Sequence, residues 1–143
     1  MVEFKAVIAD PKTGKSYQAT ISGQHANSLV GKSIGDEFDG VFVSLPGYKV
    51  KLTGGSDGQG FPMRADLHKS GRGKLLLTKG VGFHPKYPGE RRKKTVRGKK
   101  ITPEVSQVNM KITHHGPRPI EQLLGVKKKE GEEGAEKKED KKE

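Results

Sequence analysis

Before residue 118, no stretch of the chain keeps its apolar residues at helical spacing for more than about one turn, because glycine and proline interrupt every run. The 20 glycines and 8 prolines leave only short segments between them, and in those segments the pattern has period two. Val2-Glu3-Phe4-Lys5-Ala6-Val7-Ile8-Ala9 opens with apolar and charged residues alternating, as in a half-buried strand, and predicts Phe4 and Ile8 on the core face. Asp10-Pro11-Lys12-Thr13-Gly14-Lys15 is turn chemistry, and residues 16–22 alternate again, so the two runs form a hairpin. Residues 26–30 make one short helical turn that Gly31 and Gly35 stop. Further strands are expected over 41–45, 48–52, 74–78 and 105–113, and a last helical turn over 119–124. The expected fold is all-β: a small β-barrel with short helical turns, since a barrel protects strand edges best.

Hydrophobic residues make up 30% of the 143, without a single Trp, so the core must be modest. There is no Cys, which excludes disulfides, thiolate metal sites and cysteine nucleophiles. The N-terminal residues lack the basic-then-apolar pattern of a secretory signal, and no apolar run approaches the roughly 18 residues of a membrane span. A cytoplasmic location without a membrane partner is the expectation. Residues 126–143 are almost entirely Lys, Glu, Asp and Gly, which cannot bury enough apolar surface to offset ordering entropy. The chain therefore divides into a folded unit, 1–125, and a disordered, charge-balanced tail, 126–143, with an isolated charged helix as the alternative for the tail.

Charge is distributed unevenly. Residues 1–60 hold six Lys/Arg and six Asp/Glu, 61–100 hold 13 and 2, 101–125 hold two and two, and 126–143 hold seven and seven. The net charge of +11 is thus the 13 − 2 of one 40-residue segment. A field of one sign concentrated in this way attracts a polyanion. Its densest part is Gly89-Glu90-Arg91-Arg92-Lys93-Lys94-Thr95-Val96-Arg97-Gly98-Lys99-Lys100-Ile101, with one acid. As a helix it has no apolar stripe, and as a strand it carries cations on both faces, so neither face is expected to line a core. Nucleic-acid phosphates would neutralise this self-repulsion with release of condensed counterions. A solvated loop, a nuclear-import address and an acidic-membrane patch are the alternatives. Arginines offer bidentate phosphate contacts and lysines act as point charges. Phe83, His84 and Tyr87 beside the run are planar groups able to stack on an unpaired base, or to pack the loop onto the body. Gly89 and Gly98 would let the backbone approach a crowded RNA surface.

Other constellations carry less. Gly54-Gly55-Ser56-Asp57-Gly58-Gln59-Gly60 lacks the Gly-Lys-Ser/Thr of a phosphate-binding loop, and predicts a tight reversal against another backbone, with Phe61 and Met63 as anchors. Asp36, Glu37 and Asp39 lack the ligand spacing of a calcium loop. His114 and His115 would point to opposite faces of a strand and cannot readily share a metal. No serine sits in a nucleophile motif. Neither catalysis nor a cofactor, metal or small-molecule substrate is expected.

Leu52-Thr53-Gly54-Gly55-Ser56-Asp57, Gly60-Phe61-Pro62-Met63, Lys74-Leu75-Leu76-Leu77-Thr78-Lys79-Gly80 and the 89–98 run together resemble the archaeal and eukaryotic type of small-subunit ribosomal protein six, over about residues 1–125. The resemblance implies a β-barrel body and a structural, non-enzymatic place in the small ribosomal subunit, with ribosomal RNA and neighbouring ribosomal proteins as partners. Residues 83–88 hold fewer arginines than many relatives do. The serine-bearing C-terminal extension of eukaryotic members has no counterpart in 126–143, which contain neither Ser nor Thr, so the resemblance is to a short, archaeal-type form. The expected RNA-binding residues are Arg64, Arg72, Lys74, Lys86, Arg91, Arg92, Lys93, Lys94, Arg97, Lys99 and Lys100. A free-standing RNA- or DNA-binding chaperone or compaction protein is the competing function.

Overall fold

A computed structural model describes residues 2–124. The charged tail expected at 126–143 lies outside the described residues. Among the described residues there are seven strands: β1 (Glu3–Ala9), β2 (Ser16–Ser22), β3 (Glu37–Asp39), β4 (Lys49–Asp57), β5 (Arg72–Leu77), β6 (Arg92–Arg97) and β7 (Val105–His114). Two short helices, α1 (Gly23–Leu29) and α2 (Ile120–Leu123), complete the set with a 3-10 turn at Gly40–Val43.

The first five-stranded sheet has the order β2-β1-β7-β4-β3. Its hairpin β1–β2 forms as the alternation predicts: Phe4, Ala6 and Ile8 are buried. The turn is held by Asp10, whose carboxylate accepts from the Lys12 N–H and the Thr13 hydroxyl, both at 2.9 Å. β7 is the central strand, parallel to β1 and antiparallel to β4, and buries Val105, Val108, Met110 and Ile112 on one face. Between Leu52 and Gly54 the β4–β7 register slips, so that Leu52 faces Met110 and Gly54 faces Asn109. Such a bulge bends a strand and increases its twist. Just beyond it, a Cβ on Gly55 would stand 2.5 Å from the Gln107 carbonyl oxygen, so only glycine lets the two backbones come this close. The glycine run is thus largely strand rather than reversal; the turn itself comes later, where Gly60 N–H bonds the Asp57 carbonyl and Asp57 N–H bonds that of Phe61, both at 2.9 Å.

The sheet curls into half a barrel and does not close. Closure would require β2 to pair with β3, but β3 has only three residues and α1 and the 3-10 turn occupy the space beside β2. The strand expected over 41–45 is this 3-10 turn. Leu45 N–H bonds the Gly40 carbonyl at 2.8 Å and Ser44 takes a left-handed φ of 62°, so the chain coils while still burying Val43 and Leu45. At the C-terminal end the expected helical turn is α2, which buries Ile120, and the Tyr48 hydroxyl donates to the Arg118 carbonyl.

β5 and β6 form a separate two-stranded ribbon. Here the reading of 89–101 needs correction. β6 does line a core, because Val96 is fully buried with Leu77 and Phe83, and Leu67 and Leu75 pack against them. The apolar partners come from β5 and the intervening loop, where a scan of 89–101 by itself cannot find them.

Candidate nucleic-acid interface

The ribbon is fastened to the half-barrel at its base. Arg97 N–H bonds the Pro62 carbonyl and Arg64 N–H bonds the Arg97 carbonyl, each at 2.9 Å. The Arg97 side chain, 1% exposed, runs inward: its guanidinium donates to Asp57 Oδ2 at 2.7 Å, to Glu104 Oε2 at 2.9 Å and to the Thr102 hydroxyl. Arg72 donates to the same Asp57 oxygen at 2.5 Å through Nε and to Gln59 at 2.8 Å, while its guanidinium lies 5.3 Å from the centre of the Phe61 ring. Burial by itself would raise the Asp57 carboxyl, but the two arginine hydrogen bonds outweigh it and hold the group below the usual carboxylate range. Next to Arg97, a Cβ on Gly98 would lie 1.5 Å from the Lys69 carbonyl oxygen. The backbone that Gly98 lets approach is therefore the chain's own.

Two residues expected at an RNA surface are consequently inside the protein. Arg97 is occupied by Asp57, Thr102 and Glu104, and Phe83 packs under the ribbon as its core residue. Arg64 is partly committed as well, with Nη1 on the Val81 carbonyl at 2.7 Å and Nη2 on Asp66 at 2.8 Å. Arg92 Nε stands 2.8 Å from Glu90 Oε1. Glu90 also accepts from the Lys86 N–H at 2.9 Å; that backbone bond, with Arg92 beside it, lowers its carboxyl from the ordinary value against a small opposing effect of burial.

What remains outside is a cationic surface. Lys74, Lys86, Arg91, Arg92, Lys93, Lys94 and Lys100 are exposed and Lys99 is half-buried. Lys69 and Lys79, not singled out from the sequence, are exposed too, and Lys79 lines the same depression as Arg91. Apart from Arg92, none of these is in an ion pair with a described residue. Tyr87, 71% exposed, and the exposed His84 stand at the ribbon's far end. Beside Tyr87 an open depression of about 500 Å³ is walled by Thr78, Lys79, Pro85, Pro88 and Arg91.

No sequence pattern marks the Asp57–Arg97–Glu104 cluster, whose members meet across 40 and 7 positions. Lys69 and Lys79, by contrast, lie within the charge-rich segment. Among the described residues there is no grouping of three His, Asp or Glu side chains able to hold a metal, and no helix long and apolar enough to cross a membrane. His115 lies 2.8 Å from Asp10, whereas His114 is exposed, so the two imidazoles do not converge.

A family profile described as Ribosomal protein S6e matches residues 4–125, most of the chain. The chain belongs to this family. The small ribosomal subunit protein eS6 of Methanoregula boonei is 49% identical over 143 residues, all of this chain and 96% of its own length. That of Archaeoglobus fulgidus is 48% identical over 127 residues, covering 88% of this chain and 98% of the relative. The protein of the same description from Methanocaldococcus jannaschii is 47% identical over 133 residues, or 93% and 99%. S6e proteins are structural components of the ribosome and not enzymes. In this S6e chain two of the stretches that carry the resemblance, 52–63 and 89–98, meet in space: Asp57 of the first holds Arg97 of the second.

Proposed function

We propose that the chain is a structural constituent of the small subunit of the cytoplasmic ribosome, and that it binds ribosomal RNA through the exposed cations of the 61–100 segment. Family membership supports the ribosomal role; the charge of the ribbon and its loop supports the RNA contact. The single observation that carries the second part is that Arg91, Arg92, Lys93 and Lys94 stand exposed on the hairpin, where, among the described residues, Arg92 alone of the four is in an ion pair, with Glu90. A basic run spent on internal ion pairs would leave nothing for phosphate; among the described residues of this segment Arg64, Arg72, Arg92 and Arg97 are in ion pairs, and of these Arg97 alone is buried.

The contact set is Lys74, Lys86, Arg91, Arg92, Lys93, Lys94, Lys99 and Lys100, with Lys69 and Lys79 added and Arg97 left out. Arg64 and Arg72, both bonded to the chain's own carboxylates, shape this surface from beneath. His84 and Tyr87 are placed to stack on an unpaired base, and neighbouring ribosomal proteins are the second class of partner. In this reading residues 1–125 form the ribosomal body, and 126–143 are a charge-balanced stretch of seven Lys and seven Asp/Glu.

Replacing Arg91, Arg92, Lys93 and Lys94 together by Ala tests the contact. Each phosphate neutralised adds about 0.7 to 0.9 to the slope of log affinity against log salt. The four-fold variant is expected to flatten that slope on ribosomal RNA by about 3. An unchanged slope would place the contacts elsewhere on the protein.

A further inference from the structure

The ribbon carries cations on both of its faces. Successive side chains of a strand point to opposite faces, so the β5–β6 register sorts them. Lys74 pairs with Thr95 and Leu76 with Lys93, and these four share one face. Leu75 pairs with Lys94 and Leu77 with Arg92, and these share the other face with Val96. The second face is the one that closes over Phe83. A hairpin that merely rests on its own core puts polar residues on the outer face and apolar ones inside. Here the inner face also carries two cations, both exposed, beyond its apolar patch. The outer face is covered at its base, where Arg72 and Arg97 meet Asp57, and open beyond it, with Lys74 and Lys93 exposed and Leu76 57% exposed.

A single array of phosphates neutralises only the face turned toward it: turned toward Arg92 and Lys94 it leaves Lys74 and Lys93 uncompensated, and turned the other way it leaves Lys94 uncompensated and Arg92 with Glu90 alone. We propose, resting on the RNA-binding reading above, that the β5–β6 ribbon is held between two RNA backbones, one against Lys74 and Lys93 and the other against Arg92 and Lys94. The deep groove of an RNA duplex is too narrow to admit protein side chains, and the shallow one is too open to enclose a ribbon. The two backbones therefore belong to neighbouring helices or strands, and the ribbon acts as a spacer that cancels their mutual repulsion.

The full-length chain and small-subunit ribosomal RNA provide the test. Two double variants, Lys74→Ala with Lys93→Ala and Arg92→Ala with Lys94→Ala, are compared by the salt dependence of binding. Each is expected to flatten the log–log slope by about 1.4 to 1.8, at about 0.7 to 0.9 per contact, and the four-fold combination by the sum. Since the chain has no cysteine, Leu76→Cys and Lys94→Cys can each carry one tethered iron–EDTA group, one per face. Strand scission is expected in two RNA segments that do not overlap. If only one double variant changes the slope, or both tethers cut the same segment, the ribbon lies on one backbone; the inference then fails while the RNA-binding reading stands. If neither double variant changes the slope, both fail.

Discussion

Arg97 shows how little the identity of a residue reveals about its use. It sits among Arg91, Arg92, Lys93, Lys94, Lys99 and Lys100, yet it is buried while most of them are exposed. As the last residue of β6 it stands at the base of the ribbon, where Asp57 and Glu104 meet it. Removing one partner of a buried ion pair costs about 3–5 kcal/mol, because the other charge stays buried without its counter-ion. Arg97→Met is therefore expected to lower stability by about that much, read as the urea midpoint, and Asp57→Leu added to it to restore part of the loss. Asp57 also determines a pH response. Its folded-state carboxyl lies below the ordinary 3.8, so its contribution is present above that value and is lost as pH falls through the lower folded value. Asp57→Asn should thus be less stable than the parent at neutral pH, with the gap narrowing as pH falls below 3.8. A gap independent of pH would mean that the carboxylate is not held by the two arginines.

The elements divide into those that local pattern shows and those that need a partner. β1, β2, β4, β5 and β7 were legible because alternation and turn chemistry are properties of adjacent residues. Phe4 and Ile8 face the core as their spacing indicates. β6 was not legible, since its one buried apolar residue, Val96, finds its companions in Leu77 and in Phe83 of the loop. The 3-10 turn at Gly40–Val43 was misread as a strand because burial of Val43 and Leu45 at a spacing of two also suits a strand; the Gly40 and Tyr48 contacts that coil it are not visible in spacing. The ribbon's small core makes the element depend on one ring. Phe83→Ala should cost about 3–5 kcal/mol locally. Hydrogen exchange of the β5 and β6 amides is expected to rise well before that of β1 and β7, which belong to the larger core. Equal acceleration throughout would mean that ribbon and half-barrel unfold as one unit.

At the scale of the whole molecule, a half-barrel with a complete core of its own presents a cationic ribbon, and the two are joined through Asp57 and Arg97. This division of labour explains why charge arithmetic picks out the cationic segment but cannot tell the arginine that fastens it from those that face outward. It also explains why one segment can be so basic without disturbing the core, since the repulsion is carried outside, on a hairpin with its own small cluster. The central claim, that the chain is built into the small ribosomal subunit, is tested most directly by sedimenting an extract of cells that make it. After a high-salt wash it should still migrate with small subunits. Recovery at the top of the gradient, with the subunits depleted of it, would instead mark a free-standing nucleic-acid binder.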